Sequence, residues 1–225
     1  GLWLLASLLV GRALRMVFFF QYSAAPLPDH PTLDCAHYRQ TAQEVARGRL
    51  LQDRAFFLGP LYAYLLGGFY ALLGSRAWVA PVIQMIFGLL TCVLIFRLGA
   101  RLHTTAAGLL AALLYAVYKP VLFYEQTLLM ETTLALVLVG LLLLVVEKGL
   151  PSDGFPARTR SAPGEAAGRP SWWLAIGGVL GVAALFRGNV LLFAPVLLLW
   201  LAWTRGGKRV LAFDRALARE ALFLV

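Results

Sequence analysis

Long apolar runs separated by short polar segments dominate this chain. Six of the runs are candidate membrane spans, at residues 2–20, 77–96, 105–124, 127–146, 172–186 and 190–203. A helix needs roughly 20 residues to cross the hydrocarbon core of a bilayer. The last two runs are shorter, and the polar residues between them, Arg187-Gly188-Asn189, predict a hairpin that turns at this point. The pattern therefore predicts an all-α polytopic membrane protein.

A seventh apolar run, Pro60–Leu73, is too short to cross a bilayer comfortably. It covers 14 residues, which as a helix would be about 21 Å long. Gly59-Pro60 favours the start of a helix at this point. Tyr62, Tyr64 and Tyr70 are residues of the kind that favour the membrane interface. The run predicts a helix that lies in the interface.

The distribution of basic residues supports this topology. They cluster at Arg97 and Arg101, in residues 148–169 and in residues 205–209. With Pro60–Leu73 in the interface, all three clusters lie on one side, which the positive-inside rule makes the cytoplasm. Residues 21–76 then form a large outer loop. Residues 151–170, rich in Pro, Gly, Ser and Ala, predict a disordered cytoplasmic linker.

Composition narrows the class of protein further. Hydrophobic residues make up 60% of the 225 residues and charged residues only 14%, with a mean hydropathy of +0.77. These values exclude a soluble domain. The net charge of +9 arises from loops that would face anionic lipid, so we expect no nucleic-acid partner. Because the last apolar run stops within a segment, we expect residues 1–225 to be the N-terminal membrane module of a longer chain.

The most suggestive polar pattern lies in the outer loop, where Asp34 precedes Tyr38 by four residues. Residues 34–48 predict an amphipathic helix, and residues four apart lie on the same helix face. Asp34 and Tyr38 would therefore point in the same direction. The alternative is that Asp34 only caps the start of this helix, a common use of aspartate.

Two glutamates follow near the outer end of the fourth predicted span. Glu131 would lie about one and a half turns inside the helix, whereas Glu125 would lie at its mouth. Six residues of helix rotate the two side chains about 120° apart, so we do not expect them to serve one site. Glu131 is the stronger functional candidate. Its alternative role is to pair with Arg12 or Arg15 of the first span.

Two cations complete the set of candidates. Lys119 precedes Pro120 near the outer end of the third span, where it could also reach phosphate headgroups of the bilayer. Arg187 lies in the predicted hairpin turn. A guanidinium in such a turn is well suited to bind a phosphate through paired hydrogen bonds.

The order of these motifs resembles the GT-C glycosyltransferases, and among them the protein mannosyltransferase and aminoarabinose transferase group. The resemblance rests on an arginine-bearing first span followed by residues 34–42 (DCAHYRQTA), 57–62 (FLGPLY), 124–131 (YEQTLLME) and 181–195, which contain Arg187-Gly188-Asn189. That group uses polyprenyl-phosphate sugars as donors. The resemblance implies a GT-C-type transmembrane helical bundle with interfacial helices in the first outer loop. Cys35 departs from the group, since many relatives carry a second acidic residue there.

The resemblance also implies roles for the candidate residues. Asp34 would be the base for an acceptor hydroxyl in an inverting transfer of a hexosyl or pentosyl group. Glu131 would orient the sugar or the acceptor, and Arg187 with Lys119 would hold the donor phosphate. The substrate cavity would also contain Tyr38, Tyr62, Glu125 and Asn189. The partners would be the lipid-linked sugar donor, a protein or lipid acceptor, and the bilayer, with the site on the outer side of a bacterial inner membrane.

No cofactor is required by this reading, although a divalent cation, Mg²⁺ or Mn²⁺, between Asp34 and Glu131 is compatible with it. Two functions from other classes stay open from the residues alone. A lipid or solute transporter, or a flippase, would also place charges in a membrane cavity, but repeated broken helices are expected there and only one break is evident. A noncatalytic membrane scaffold would tolerate the loss of Asp34.

Overall fold

The computed structural model describes residues 2–25, 32–51, 56–149 and 170–205. Within these ranges the chain forms helices and no β-strand, which confirms the predicted all-α class for this part of the chain. The predicted linker 151–170, except Pro170, and the basic residues Lys208 and Arg209 lie outside the described residues.

The described residues contain nine α-helices and one 3-10 helix. They are α1 (Leu2–Ser23), α2 (Leu33–Ala46), α3 (Pro60–Leu73), α4 (Val79–Leu102), α5 (Thr105–Val117), α6 (Lys119–Tyr124), α7 (Glu131–Gly149), α8 (Pro170–Phe186), the 3-10 helix Gly188–Leu192 and α9 (Phe193–Arg205).

Two of the described helices, α1 and α4, are long and apolar enough to cross a membrane. They correspond to the first and second predicted spans. The helices α5 and α8 are apolar but shorter. The same holds for the apolar stretch Gly188–Leu199, which runs from the 3-10 helix into α9. Membrane association is therefore supported, and the remaining spans stay predictions.

The helix α4 packs against α1, α5 and α7. Its approach to α5 depends on two glycines. A Cβ on Gly108 would lie 2.4 Å from the carbonyl oxygen of Phe96, and one on Gly99 would lie 2.7 Å from the Cα of Gly108. Side chains at these positions would separate the two helices, so small residues set how closely they pack.

The helices α2 and α3 form a pair that packs against α8. A Cβ on Gly67 of α3 would lie 2.9 Å from the carbonyl oxygen of Ala42 in α2, which makes this contact equally close. The buried face of α3 carries Tyr62, Leu66 and Tyr70. These side chains belong to one core with residues of α2, α7 and α8.

The bounds of α3 coincide with the predicted run. Pro60 occupies its first turn after Gly59, and the helix ends at Gly74, whose φ of 81° is in the left-handed region that favours glycine. The position of α3 relative to a membrane interface stays a prediction.

Two predicted spans differ from the structure. The run 105–124 is divided at Tyr118, where the backbone is extended, into α5 and α6. The physical reason is Pro120, which has no N–H to bond to the carbonyl of Ala116 and so interrupts the helix. The run 127–146 becomes helical only at Glu131. The residues before it, 125–130, form a largely buried connector without helical structure.

Candidate active site

A cavity of about 240 Å³ gathers residues from four parts of the chain. They are the start of α2, the segment that precedes α3, the start of α7 and the junction that follows α8. The lining residues are Asp34, Tyr38, Phe57, Leu58, Gly59, Leu129, Met130, Glu131, Phe186, Arg187 and Gly188. Three of the charged candidate residues, Asp34, Glu131 and Arg187, thus line one cavity.

Asp34 lies in the first turn of α2, but it does not cap the helix. The N-cap residue is Thr32, whose side chain makes no capping hydrogen bond. The capping interpretation of Asp34 is therefore wrong. Its carboxylate is exposed and faces the cavity together with Tyr38, one turn along the helix.

Glu131 is the first residue of α7, not a residue one and a half turns inside it. The first hydrogen bond of the helix runs from the amide of Leu134 to the carbonyl of Met130, at 2.8 Å. Both carboxylates of the cavity thus lie on the first turn of a helix. Negative side chains are stabilised at this end by the unpaired amides and the helix dipole.

Arg187 follows the last residue of α8, and its amide donates to the carbonyl of Ala183 at 3.1 Å. Cations are stabilised at the C-terminal end of a helix. The chain leaves the helix at Arg187 in an extended conformation and enters the 3-10 helix. The helix therefore ends at the predicted triplet Arg187-Gly188-Asn189, and the hairpin that was predicted to turn there stays a prediction.

Gly59 brings the segment before α3 against the end of α8. A Cβ on Gly59 would lie 1.9 Å from the carbonyl oxygen of Phe186, so no side chain fits at this position. The contact places Phe57 and Leu58 beside Arg187 in the wall of the cavity. An apolar surface therefore adjoins the guanidinium.

Tyr38 connects the α2–α3 pair to the start of α7. Its hydroxyl donates to the sulfur of Met130 at 3.5 Å, and its ring meets that of Tyr62 edge to face, with centroids 4.9 Å apart. Burial raises the pKa of Tyr38 to about 12, and the charges of Glu131 and Asp34 add to the effect. The hydroxyl therefore stays protonated at neutral pH and acts as a donor.

Other predicted cavity residues are placed elsewhere. Tyr62 is buried behind Tyr38 and does not line the cavity. Lys119 is exposed at the start of α6, and Asn189 is exposed next to Gly188; neither lines the cavity. Among the residues that the structure describes, Arg187 is the cation that lines the cavity.

Glu125 is also outside the cavity. Its Oε1 lies 2.7 Å from Nη2 of Arg15, and both side chains are buried, with 0% and 1% of their surface exposed. The partner of Arg15 is therefore Glu125, and the alternative pairing role proposed for Glu131 is not observed. Glu125 and Glu131 do occupy separate environments, although the cause is the non-helical connector and not rotation along one helix.

Several lining residues are apolar and were not among the candidate site residues predicted from the sequence. Leu129, Met130 and Phe186 line the cavity without any chemical signature of their own. These three residues belong to the motifs at 124–131 and 181–195, and Phe57 and Leu58 belong to the motif at 57–62. Cys35 is half-buried next to Asp34, and burial raises the pKa of its thiol. The order of the motifs was the one available signal for these residues.

The carboxylates of Asp34 and Glu131 are the groups that would hold a divalent cation. Mg²⁺ is commonly bound by one or two carboxylates together with phosphate oxygens of a substrate, so the donor types fit. Among the described residues, no group of three or more His, Cys, Asp or Glu side chains could hold a metal ion.

Residues 58–153 match the family model described as dolichyl-phosphate-mannose-protein mannosyltransferase. This match confirms the resemblance. It supports a membrane glycosyltransferase of the GT-C type, in the protein mannosyltransferase-like group. No curated protein and no solved structure significantly matches the chain.

The matched residues include one side of the cavity. Gly59 and Glu131 lie within them, as do Lys119 and Glu125, whereas Asp34 and Arg187 lie outside. The roles of Asp34 and Arg187 therefore depend on their position in the cavity and on the motifs of the sequence.

Proposed function

We propose that this protein is an inverting glycosyltransferase that moves a hexosyl or pentosyl group from a polyprenyl-phosphate donor to an acceptor hydroxyl. The observation that carries the proposal is the shared cavity, whose lining includes Asp34, Glu131 and Arg187. The family match supports the same class of reaction.

Asp34 is the proposed base. The acceptor oxygen attacks the anomeric carbon while the bond from that carbon to the phosphate oxygen breaks, so the configuration inverts. The proton of the acceptor hydroxyl passes to the carboxylate of Asp34, and the bonding electrons leave with the phosphate. A phosphate is already a good leaving group, so the reaction has little need of a separate acid.

Arg187 is the proposed partner of the phosphate. The donor is a phosphodiester with one negative charge, and the product is a phosphate monoester that gains a second charge as the bond breaks. A guanidinium in contact with these oxygens would attract them more strongly in the transition state than in the bound donor. Such differential stabilisation is what accelerates a reaction.

Glu131 and Tyr38 line the same cavity and are proposed to orient the substrates. Glu131 accepts hydrogen bonds from hydroxyls of the sugar or the acceptor. The hydroxyl of Tyr38 donates its proton to the sulfur of Met130, and its oxygen can accept a hydrogen bond from a substrate hydroxyl. Phe57 and Leu58 provide apolar surface where the first isoprene units of the donor lie.

Basic loops between apolar runs are expected in the cytoplasm, and here they lie at the helix ends opposite the cavity. We therefore place the cavity on the outer side of a bacterial inner membrane, with a protein or lipid as the acceptor. The matched family description favours a mannosyl donor and a protein acceptor as the first pair to be assayed.

The test uses the full-length protein in lipid nanodiscs, with polyprenyl-phosphate mannose as donor and serine- or threonine-containing peptides as acceptors. Transfer of label to the peptide and release of polyprenyl phosphate should occur together in the wild type. Asp34→Asn should lower the rate by roughly 10²-fold or more, the usual contribution of a general base.

Glu44→Gln provides the matched control, because it makes the same chemical change on the same helix without altering a cavity residue. It should retain the wild-type rate. Equal activity of Asp34→Asn and wild type would remove the proposed base. Failure of the wild type with a panel of hexosyl and pentosyl polyprenyl phosphates would contradict the function itself.

A further inference from the structure

The buried pair Arg15–Glu125 joins α1 to the connector that leads to Glu131. The two charged atoms are 2.7 Å apart and neither residue has more than 1% of its side-chain surface exposed. Removing two charges from water costs several kcal/mol per ion, so a buried ion pair is an expensive way to hold helices together. Packed apolar side chains of similar volume would serve that purpose at least as well.

Arg15 is held in place by backbone carbonyls on both sides. Its Nη1 donates to the carbonyl of Gly11, at 3.1 Å, and to that of Ala116, at 3.4 Å. Ala116 lies four residues before Pro120, which has no N–H to offer, so this carbonyl lacks its helical partner. The break between α5 and α6 thus creates an acceptor that Arg15 uses.

A glycine of α4, Gly88, leaves space for the pair. A Cβ on Gly88 of α4 would lie 1.9 Å from Oε1 of Glu125 and 2.9 Å from Nη2 of Arg15. The carboxylate therefore packs directly on the backbone of α4. Only glycine leaves room for it.

Gln84 of α4 holds the same connector through its backbone. Its Nε2 donates to the carbonyl of Thr127 at 2.5 Å and to that of Glu125 at 3.4 Å. Gln84 is 1% exposed. These carbonyls are outside any helix, and buried backbone acceptors of this kind require a partner. Arg15 thus binds the connector through the side chain of Glu125, and Gln84 binds it through backbone carbonyls.

The other end of the connector enters the candidate active site. Leu129, Met130 and Glu131 line the cavity, and the sulfur of Met130 accepts the hydrogen bond of the Tyr38 hydroxyl. Only three residues separate Thr127 from Glu131, and Glu125, Gln126, Leu128 and Met130 are buried. A displacement at Thr127 therefore has little chain in which to be absorbed before it reaches Glu131.

We propose that Arg15, Gln84 and Glu125 are positioning residues, which fix the connector so that Glu131 is presented to the cavity at the start of α7. They do not touch the substrate. The inference rests on the proposed function only for its catalytic consequence, because the ordering of the connector can be measured without any reaction.

A second ion pair provides a matched control. Arg97 of α4 and Glu147 of α7 are also 2.7 Å apart, but 54% and 31% of their side-chain surfaces are exposed. This pair joins α4 to α7 near their C-terminal ends, away from the connector. Glu147→Gln therefore makes the same chemical change as Glu125→Gln without disturbing the residues that hold Glu131.

The experiment compares wild type, Glu125→Gln, Gln84→Met and Glu147→Gln, each as the full-length protein in nanodiscs. Hydrogen–deuterium exchange of the backbone amides of residues 125–134 should be at least ten-fold faster in Glu125→Gln and Gln84→Met than in the wild type. Exchange in α2 and α3 should be unchanged. The kcat for transfer should fall at least ten-fold, while the KM for the donor stays within two-fold. Glu147→Gln should change none of these quantities.

The double variant Arg15→Met/Glu125→Leu covers the case in which a single variant fails to fold, since it replaces both charges with apolar groups. It should fold, with reduced kcat and faster exchange confined to the connector. Unchanged exchange in residues 125–134 would overturn the proposal, as would locally faster exchange with full kcat. A uniform rise in exchange throughout α1, α4 and α7 would also overturn it, because that result indicates a purely structural pair. A wild type without transferase activity would contradict the proposed function, and the exchange data would still decide whether the connector is held as inferred.

Discussion

No side chain can be placed on Gly59, because a Cβ there would lie 1.9 Å from the carbonyl oxygen of Phe186. This contact joins the start of α3 to the end of α8, and Arg187 follows immediately. The apolar wall of the cavity and its guanidinium are thus held together by a single close backbone approach. The position of Arg187 thus depends on Gly59, which is remote in sequence and has no side chain.

Gly59→Ala should therefore displace α3 from α8 and lower stability by about 1–3 kcal/mol, the usual cost of overpacking. Thermal unfolding in detergent would measure the change, and donor binding should weaken in parallel. Gly68→Ala is the control, because a Cβ at Gly68 of α3 meets nothing within 4 Å. That variant should be neutral or slightly more stable, since alanine favours the helix. Equal stability of the two variants would contradict the close contact at Gly59.

Arg187→Ala should weaken binding of the polyprenyl-phosphate donor by about 1.5–3 kcal/mol, the contribution of hydrogen bonds to a charged group. Arg187→Lys retains the charge but loses the planar pair of donors, so its affinity should be intermediate. Direct binding of labelled donor to purified protein would give both values. Arg76→Ala, which removes an exposed arginine outside the cavity, should leave affinity unchanged. Wild-type affinity in both Arg187 variants would exclude Arg187 as the phosphate partner.

Tyr38 should make stability depend on pH in the alkaline range. Its pKa is about 12 in the folded protein, above the usual 10, because burial disfavours the phenolate. The contribution of Tyr38 to the free energy of unfolding is fully present below about pH 10 and is lost as the pH rises toward 12. Wild type should therefore lose more stability between pH 9 and pH 11.5 than Tyr38→Phe, which keeps the ring contact with Tyr62. Parallel pH profiles in unfolding experiments would show that Tyr38 is not buried as described.

The predicted position of α3 in the interface can be tested by labelling. Single cysteines at Phe56 and at Ser75, which flank α3, should both react with an impermeant thiol reagent added from the outer side. The background would carry replacements of Cys35 and Cys92. A cysteine at His103, between α4 and α5, should react only after the membrane is permeabilised. Labelling of positions 56 and 75 from opposite sides would show that α3 crosses the membrane and would reverse the topology beyond it.

Local patterns in the sequence determined a large part of this structure. Gly59-Pro60 and Gly74 set the bounds of α3, because proline favours the first turn of a helix and glycine tolerates the conformation that ends it. The spacing of Asp34 and Tyr38 placed both side chains on one side of α2. The polar triplet at Arg187 interrupted an apolar run, and the chain does break there. Each of these features depends on residues that are close in sequence.

Tertiary packing decided the partners of the charged residues. Glu125 binds Arg15 and not a substrate, because Gly88 leaves space for its carboxylate beside α4 and Pro120 frees a carbonyl for the guanidinium. Gln84, which is remote in sequence, donates to the carbonyls of Glu125 and Thr127 in the connector, and α7 begins only after it, at Glu131. Periodicity reports which face of a helix is apolar, but it carries no information on which distant backbone lies opposite. The sequence therefore named the groups of the candidate site, and close contacts between remote segments selected which of them line it.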